Sequence, residues 1–200
     1  MTFNCMIAGV GGQGTVLASK LIAAAAMKSG FDVRTTETIG MAQRGGSVVS
    51  HVRIGENIFS PLIPLGKAHI LVAFEPAEAV RQLPFLNEQG LLIVCDSAIK
   101  PANSIVYEAF AMIDYLKANV QRLVMIDGQR IIEHSAKTLN VALLGAAAQS
   151  SYPDGSGTLP FSAETLIETI PEMLPQRFHE INLKSFELGR KLYNEHTGKN

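Results

Sequence analysis

The chain is poor in cysteine: it has only Cys5 and Cys95, each set in an apolar run (FNCMIA and LLIVCD) and neither in a C-x-x-C. Two isolated thiols cannot supply the ligands of an iron–sulfur cluster or a structural zinc. They read as buried free thiols in strands, as in a reducing cytoplasm. A dominant charge is missing too. Acids and bases mix along the chain to a net −1, which leaves no basic face for nucleic acid. No apolar run reaches the length of a membrane span, and the first residues lack the basic segment of a signal peptide. These absences predict a cytoplasmic protein with no nucleic-acid or membrane partner. Catalytic groups are equally sparse. No serine or cysteine sits on a nucleophile elbow, no paired metal ligands appear, and His51, His69, His134, His179 and His196 keep no catalytic company. The sequence assigns no catalytic residue and no metal ligand.

What is present is apolar material, 47% of 200 residues, enough for the core of one α/β domain over residues 1–200. Its organising stretch is MIAGVGGQG. An apolar run from Phe3 to Ala8 leads into Gly9, Gly11 and Gly14 at the spacing G-x-G-x-x-G, and the alanine-rich Thr15 to Met27 follows as a helix. Strand, glycine turn and helix together form the context that a dinucleotide fingerprint requires. Gly9 permits the tight turn, Gly11 lets a phosphate approach the main chain, and Gly14 lets the helix pack close to the strand. The N–H groups at the helix start, at the positive end of its dipole, favour an anion. Gly12 bares the loop further and leaves Gln13 as its one long side chain. The alternative is a tight turn that needs glycine for packing alone.

Phe31 to Thr36 reads as a second strand, and Glu37 falls where a dinucleotide fold places its ribose-binding acid. A second glycine loop follows, Gly40 to Gly46, in which Arg44 precedes Gly45 and Gly46. Its guanidinium either reaches a phosphate or carboxylate or stands in water. Ser47 to Ile54 alternates as an antiparallel strand, with His51 a hydrogen-bonded strand histidine, and Gly55-Glu56-Asn57 reads as a hairpin turn into Ile58-Phe59-Ser60. His69 to Phe74 and Leu91 to Cys95 are buried parallel strands separated by a helix that begins at Glu75-Pro76 and stops by Gly90. Asp96 then stands at a strand's carboxyl end, as a ligand residue or a cap. Smaller pieces follow: Ser104 to Tyr107 extended, Ala111 to Asn119 helical, Leu123 to Ile126 extended. Helical spacing returns over Ser135 to Ser150, so apolar that it must be packed on most sides, with Asn140 a buried polar group inside it. After the loop Ser151 to Pro160, a C-terminal helical extension covers about residues 162–196: Ser162 to Ile170, a gap bounded by Pro171 and Pro175, then Gln176 to Asn194. Apolar residues spread round the last helix mark it as an oligomer contact, so a homo-oligomer is one expectation for the isolated chain. The predicted fold is α/β and Rossmann-like, a mostly parallel sheet flanked by helices with an antiparallel hairpin insertion and that C-terminal helical segment.

Three runs, GVGGQGTVLASKLIAAAA, ETIGMAQRGGSVVSHVRIG and IFSPLIPLGKAHILVAFEPAEA, resemble the gamma-type subunit of 2-oxoacid:ferredoxin oxidoreductases. The resemblance extends from Phe3 to Arg190. Within it, GMAQRGGSVVSHVR, SPLIP, FEPAEA, NVALLGA and NLKSFELGR are in the style of the indolepyruvate branch, whose small subunit is called beta. That resemblance implies an accessory subunit, inactive alone, of an enzyme that decarboxylates aryl 2-oxoacids such as indolepyruvate to arylacetyl-coenzyme A and reduces ferredoxin. It also implies a larger partner subunit that holds thiamine diphosphate, its magnesium and [4Fe-4S] clusters. Carried over by position, Gly9, Gly11, Gly12, Gln13 and Gly14 would face a phosphate-bearing ligand, coenzyme A, with Arg44, Gly45 and Gly46 near it or at the subunit interface. Two other readings stay open: a free-standing nicotinamide or flavin enzyme, and an assembly subunit whose glycine loops bind nothing.

Overall fold

The computed structural model describes residues 2–40, 46–98 and 108–198. At its centre is β1 (Phe3–Val10), buried along almost its whole length. On one side β1 pairs in parallel with β4 (Ala68–Ala73), which continues to β5 (Leu86–Cys95) and β6 (Arg122–Ile126), all parallel. On the other side it pairs antiparallel with β3 (Ser47–Ile54), whose outer edge carries β2 (Val33–Ile39), again antiparallel. The six-stranded order is β2-β3-β1-β4-β5-β6. The expected α/β, Rossmann-like sheet, mostly parallel with an antiparallel insertion, is what the chain forms.

The insertion has a different placement. The antiparallel pair is β2 with β3, joined through the second glycine loop, and Ile58 to Ser60 forms no strand. Gly55 and Asn57 adopt the positive φ angles, 139° and 57°, that a turn needs. The chain beyond them is captured by side chains instead: Arg53 donates Nη1–H to the carbonyls of Ser60 (2.8 Å) and Leu62 (3.2 Å), and Ile63 N–H donates to His51 Nδ1 (3.2 Å). Those bonds, with Ile63 buried beneath, hold a loop where a returning strand was expected.

Helices cover both faces. One face of the sheet presents Met6, Ala8, Val49, Leu71, Ala73, Leu92 and Val94 to α2 (Pro76–Gln82) and α3 (Ala109–Asn119), which contribute Ala79 and Leu116. The other presents Cys5, Ile7, Val52, Ile70, Val72 and Ile93 to α1 (Thr15–Lys28) and to the helices that end the chain. In α1 the buried set Ala18, Leu21, Ile22, Ala25 and Ala26 follows helical spacing, and the small alanines let it lie close on the strands. The sequence places one helix over 135–150; the chain instead forms α4 (Gly128–Ser135), a 3-10 turn and α5 (Leu139–Gln149). The start of α4 is set by Asp127, whose carboxylate accepts from Arg130 N–H at 3.1 Å, an N-cap. Gly90 does not end a unit but lies inside β5, and Pro171 lies inside α6 (Ala163–Met173) rather than bounding a gap. The serine cap of α6 stands as expected, Ser162 Oγ accepting from Thr165 N–H at 3.3 Å. The extended piece at Ser104 to Tyr107 lies outside the described residues.

Every residue of α5 from Leu139 to Ala147 is buried. A helix so enclosed needs a cover on the side away from the sheet, and α7 (His179–Thr197) supplies it with Phe186, Leu192 and Tyr193. Each large apolar side chain placed there contributes about 1.5–3 kcal/mol. The apolar face of α7, expected to reach another copy, is thus spent within the chain; Phe178 and Ile181 remain exposed.

Both histidines of the sheet lose water on folding, His51 buried and His69 half-buried. His51 is 5% exposed, lies edge-on to Phe85 and accepts from Ile63 N–H, while His69 accepts from Asn4 N–H at 3.0 Å and stacks on Phe3. Burial holds both below the ordinary 6.5. An unfolded chain takes up these protons first as the pH drops, so their contribution is complete above pH 6.5 and is lost below it. We expect Tm to fall by a few degrees between pH 7 and pH 5.5, read by circular dichroism, and the slope to flatten in His51→Gln/His69→Gln.

Candidate functional site

The connections from β1 and β4 leave in opposite directions, one toward β3 and β2 and the other toward β5. A crevice therefore opens at the carboxyl ends of these two neighbours, the switch point where open α/β sheets receive ligands. The first glycine loop forms one wall and Phe74 to Glu78 the other.

The loop is held by its own atoms. Gln13 N–H donates to Val10 O (3.1 Å), and the Gln13 side chain turns back so that its Oε1 accepts from Val10 N–H (2.8 Å). Its amide Nε2 approaches Phe74 O on the opposite wall at 3.4 Å. Gly9 makes room for this: a methyl group in place of its hydrogen would stand 2.8 Å from Gln13 Oε1 and 3.1 Å from Phe74 Cβ. Gly12 and Gly14 adopt φ of 103° and 83°, conformations costly for other residues. At Gly14 a methyl group would stand 2.5 Å from Asn140 Nδ2. Gly14 caps α1 in the left-handed conformation, with no side-chain cap and no acid in the first turn. The opening N–H groups of α1 have no partner within the helix, and no carboxylate competes for them there.

The second glycine loop meets the first. Gly11 N–H donates to Gly46 O at 2.8 Å, and Gly40 N–H to Ser47 O at 2.8 Å closes the loop's base. Arg44 and Gly45 lie outside the described residues. Of the sequence-predicted set, Gly9, Gly11, Gly12, Gln13, Gly14 and Gly46 are thus brought together. Two neighbours join them: Glu78, which sequence reasoning missed, and Asn140, which it named only as a buried polar group. Glu78, 2% exposed on α2, accepts from Ser47 Oγ (2.5 Å) and pairs with Arg81 Nε (3.1 Å). Asn140 donates Nδ2–H to Gly14 O at 3.3 Å across 126 positions of sequence. The buried glutamate was legible as the second acid of FEPAEA; the loop contact of Asn140 left no local signal.

Three other expectations take definite positions. Glu37 lies on β2, the edge strand, with β3 between it and β1, and its Oε1 accepts from Ser19 Oγ at 3.4 Å. That is not where a ribose would lie beside the glycine loop. Asp96 is a structural acceptor, bonding Gly128 N–H at 2.8 Å. Cys5 and Cys95 are buried in the sheet, and loss of water pushes their thiols up to about 12 and about 11. Metal and cluster ligation needs the thiolate, so these side chains do not fit an iron–sulfur cluster. Among the described residues no group of three or more His, Cys, Asp or Glu is placed to hold a metal ion, and no helix is long and apolar enough to cross a membrane.

Comparison with known proteins agrees with this architecture. The family model for pyruvate ferredoxin/flavodoxin oxidoreductase matches residues 4–192. The indolepyruvate oxidoreductase subunit IorB of Archaeoglobus fulgidus is 39% identical over 196 residues, 94% of each chain. That of Thermococcus kodakarensis is 33% identical over 204 residues, 98% of each. Among solved structures, the gamma subunit of a keto/oxoacid ferredoxin oxidoreductase from Geobacter sulfurreducens superposes with a TM-score of 0.70 at 19% identity, covering 98% of both chains. In the 2-oxoglutarate:ferredoxin oxidoreductase of Magnetococcus marinus the matching region is 31% of a longer chain and spans 97% of this one (TM-score 0.70, 19% identity). By its family match and by relatives above 30% identity along nearly all its length, this chain belongs to the pyruvate ferredoxin/flavodoxin oxidoreductase family, as a subunit of a 2-oxoacid ferredoxin oxidoreductase.

Proposed function

We propose that this chain is the small subunit of an oxidoreductase acting on aryl 2-oxoacids such as indolepyruvate, and that its glycine loop receives a phosphate of coenzyme A. The observation that carries the ligand reading is the acid-free N-terminus of α1, capped by Gly14 at the β1–β4 crevice, with Gly12 bare beside it. Main-chain N–H groups and the helix dipole there favour a phosphate without any basic side chain. Arg44 and Gly45 belong to the loop that meets this one through Gly46, and we assign them to the ligand's edge or the subunit interface. The aryl 2-oxoacid reading rests on the names of the relatives at 33–39% identity. A larger partner would carry thiamine diphosphate with magnesium and the [4Fe-4S] clusters, which supply decarboxylation and electron transfer to ferredoxin. This chain, a single gamma-type unit over residues 1–200, contributes binding and assembly in the cytoplasm and no catalytic group.

The test is anaerobic purification of the chain from its native cells. A brown complex with a larger subunit, reducing a dye only with both aryl 2-oxoacid and coenzyme A, is expected. Calorimetric titration of coenzyme A onto the lone chain then shows whether this chain holds the site by itself. A colourless chain that purifies alone and binds a nicotinamide cofactor would overturn the proposal.

A further inference from the structure

Two primary amides grip the glycine loop from opposite sides, and neither reaches outward. Gln13 spans the crevice from within, Oε1 accepting from Val10 N–H at 2.8 Å and Nε2 lying 3.4 Å from Phe74 O at the end of β4. Asn140, 3% exposed in the first turn of α5, bears on the loop's other end. Its Oδ1 accepts from Val141 N–H at 2.9 Å, which orients the amide so that Nδ2 donates to Gly14 O at 3.3 Å. Gly14 O also accepts from Ala18 N–H at 3.0 Å, the first bond of α1. The loop's two flanks are therefore fixed to two different parts of the fold: Val10 to β4 through Gln13, and Gly14 to α5 through Asn140.

We propose that Gln13 and Asn140 are positioning residues that lock the glycine loop, so that the N–H groups of Gly12 and the start of α1 stand ready for an anion without rearrangement. Gln13 is then no ligand contact, although it is the loop's only long side chain. The inference rests on the coenzyme A reading for its consequence in catalysis, but the lock itself is a property of this chain. A fixed array of donors binds an anion without the ordering cost that a mobile loop incurs. In both residues the oxygen is taken by a main-chain N–H and the nitrogen faces a carbonyl. Exchanging amide for carboxylate therefore keeps the first contact and sets oxygen against oxygen at the second.

The experiment pairs Asn140→Asp and Gln13→Glu with the neutral Asn140→Ala and Gln13→Ala, which separate loss of the lock from added charge. Amide hydrogen exchange on the full chain is expected to speed up at least 10-fold over residues 10–18 in all four variants, with the amides of β4 and β5 unchanged. In the assembled enzyme, KM for coenzyme A is expected to rise about 10-fold while kcat stays within about twofold, a split that loss of folded protein does not produce. Unchanged exchange in the loop overturns the inference. So does faster exchange spread evenly through β4 and β5, which marks a general loss of stability. Faster exchange confined to the loop with an unchanged KM upholds the lock and removes the coenzyme A reading instead.

Discussion

Gly189→Ala is expected to cost about 3 kcal/mol, because the main chain that the new methyl group meets cannot yield. Gly189 lies on α7 where it crosses α5, and its missing side chain is replaced by the main chain of Ala142, whose carbonyl oxygen occupies the place of a methyl group. The same crossing has a second point of contact. Gly145 on α5 faces the carbonyl of Phe186 on α7, again with main chain where a side chain would be. Main-chain atoms of a buried helix have no rotamers to change, so the helices must separate, and Phe186 and Leu192 lose packing with them. For a chain of this size that loss lowers Tm by about 6–12 °C. Gly157→Ala is the control: its methyl group would meet only Leu159 O at 3.6 Å, an ordinary contact, and Tm should hold. Equal melting curves for the two variants would show that α5 and α7 are not in this close register.

Gly14→Ala should have the largest effect on function. Two costs combine at this position: a left-handed backbone at φ 83° and a methyl group 2.5 Å from Asn140 Nδ2. The backbone term is about 1–2 kcal/mol, and the displaced amide loosens the turn that opens α1. KM for coenzyme A in the assembled enzyme is expected to rise at least about 10-fold, corresponding to about 1.4 kcal/mol of lost binding. Gly12→Ala isolates the backbone term, since Gly12 has φ 103° and nothing within 4 Å of a methyl group. It should raise KM by less. Steady-state kinetics with coenzyme A as the varied substrate reads both, and wild-type KM values in the two variants would remove the loop from the binding site.

The parts of this molecule that were legible in its sequence are those decided locally. The β1–loop–α1 unit announces itself because strand, glycines and alanine-rich helix adjoin, and the buried strands β4 and β5 are unbroken apolar runs. The enclosure of α5 follows directly from a segment with no polar face. The position of β3 is a different matter. Its alternation marks an antiparallel strand, yet nothing local says that it inserts between β2 and β1. That insertion displaces Glu37 to the edge of the sheet and removes the nicotinamide signature. Gly55-Glu56-Asn57 has the right turn chemistry, but long-range bonds from Arg53 and His51 decide where the chain goes next. The start of α4 was available in principle, since Asp127 before Gly128 is a capping residue that also reads as a turn. In the candidate site the glycines were visible and their restraints were not. Gln13 folds inward onto Val10 N–H and toward Phe74 O, and Asn140 reaches Gly14 through the packing of α5.

That packing orders events during synthesis. The loop near the amino terminus leaves the ribosome before α5, which supplies one of its restraints, and α7 covers α5 on the side away from the sheet. The loop's strand, β1, likewise waits for β3 and β4 before both of its edges are paired. A nascent chain halted before α7 would therefore carry its glycine motif complete in covalent terms but without its native shape. Release of α7 completes the last of the loop's restraints, so a chain shortened at its far end should lose ordered amides near its beginning.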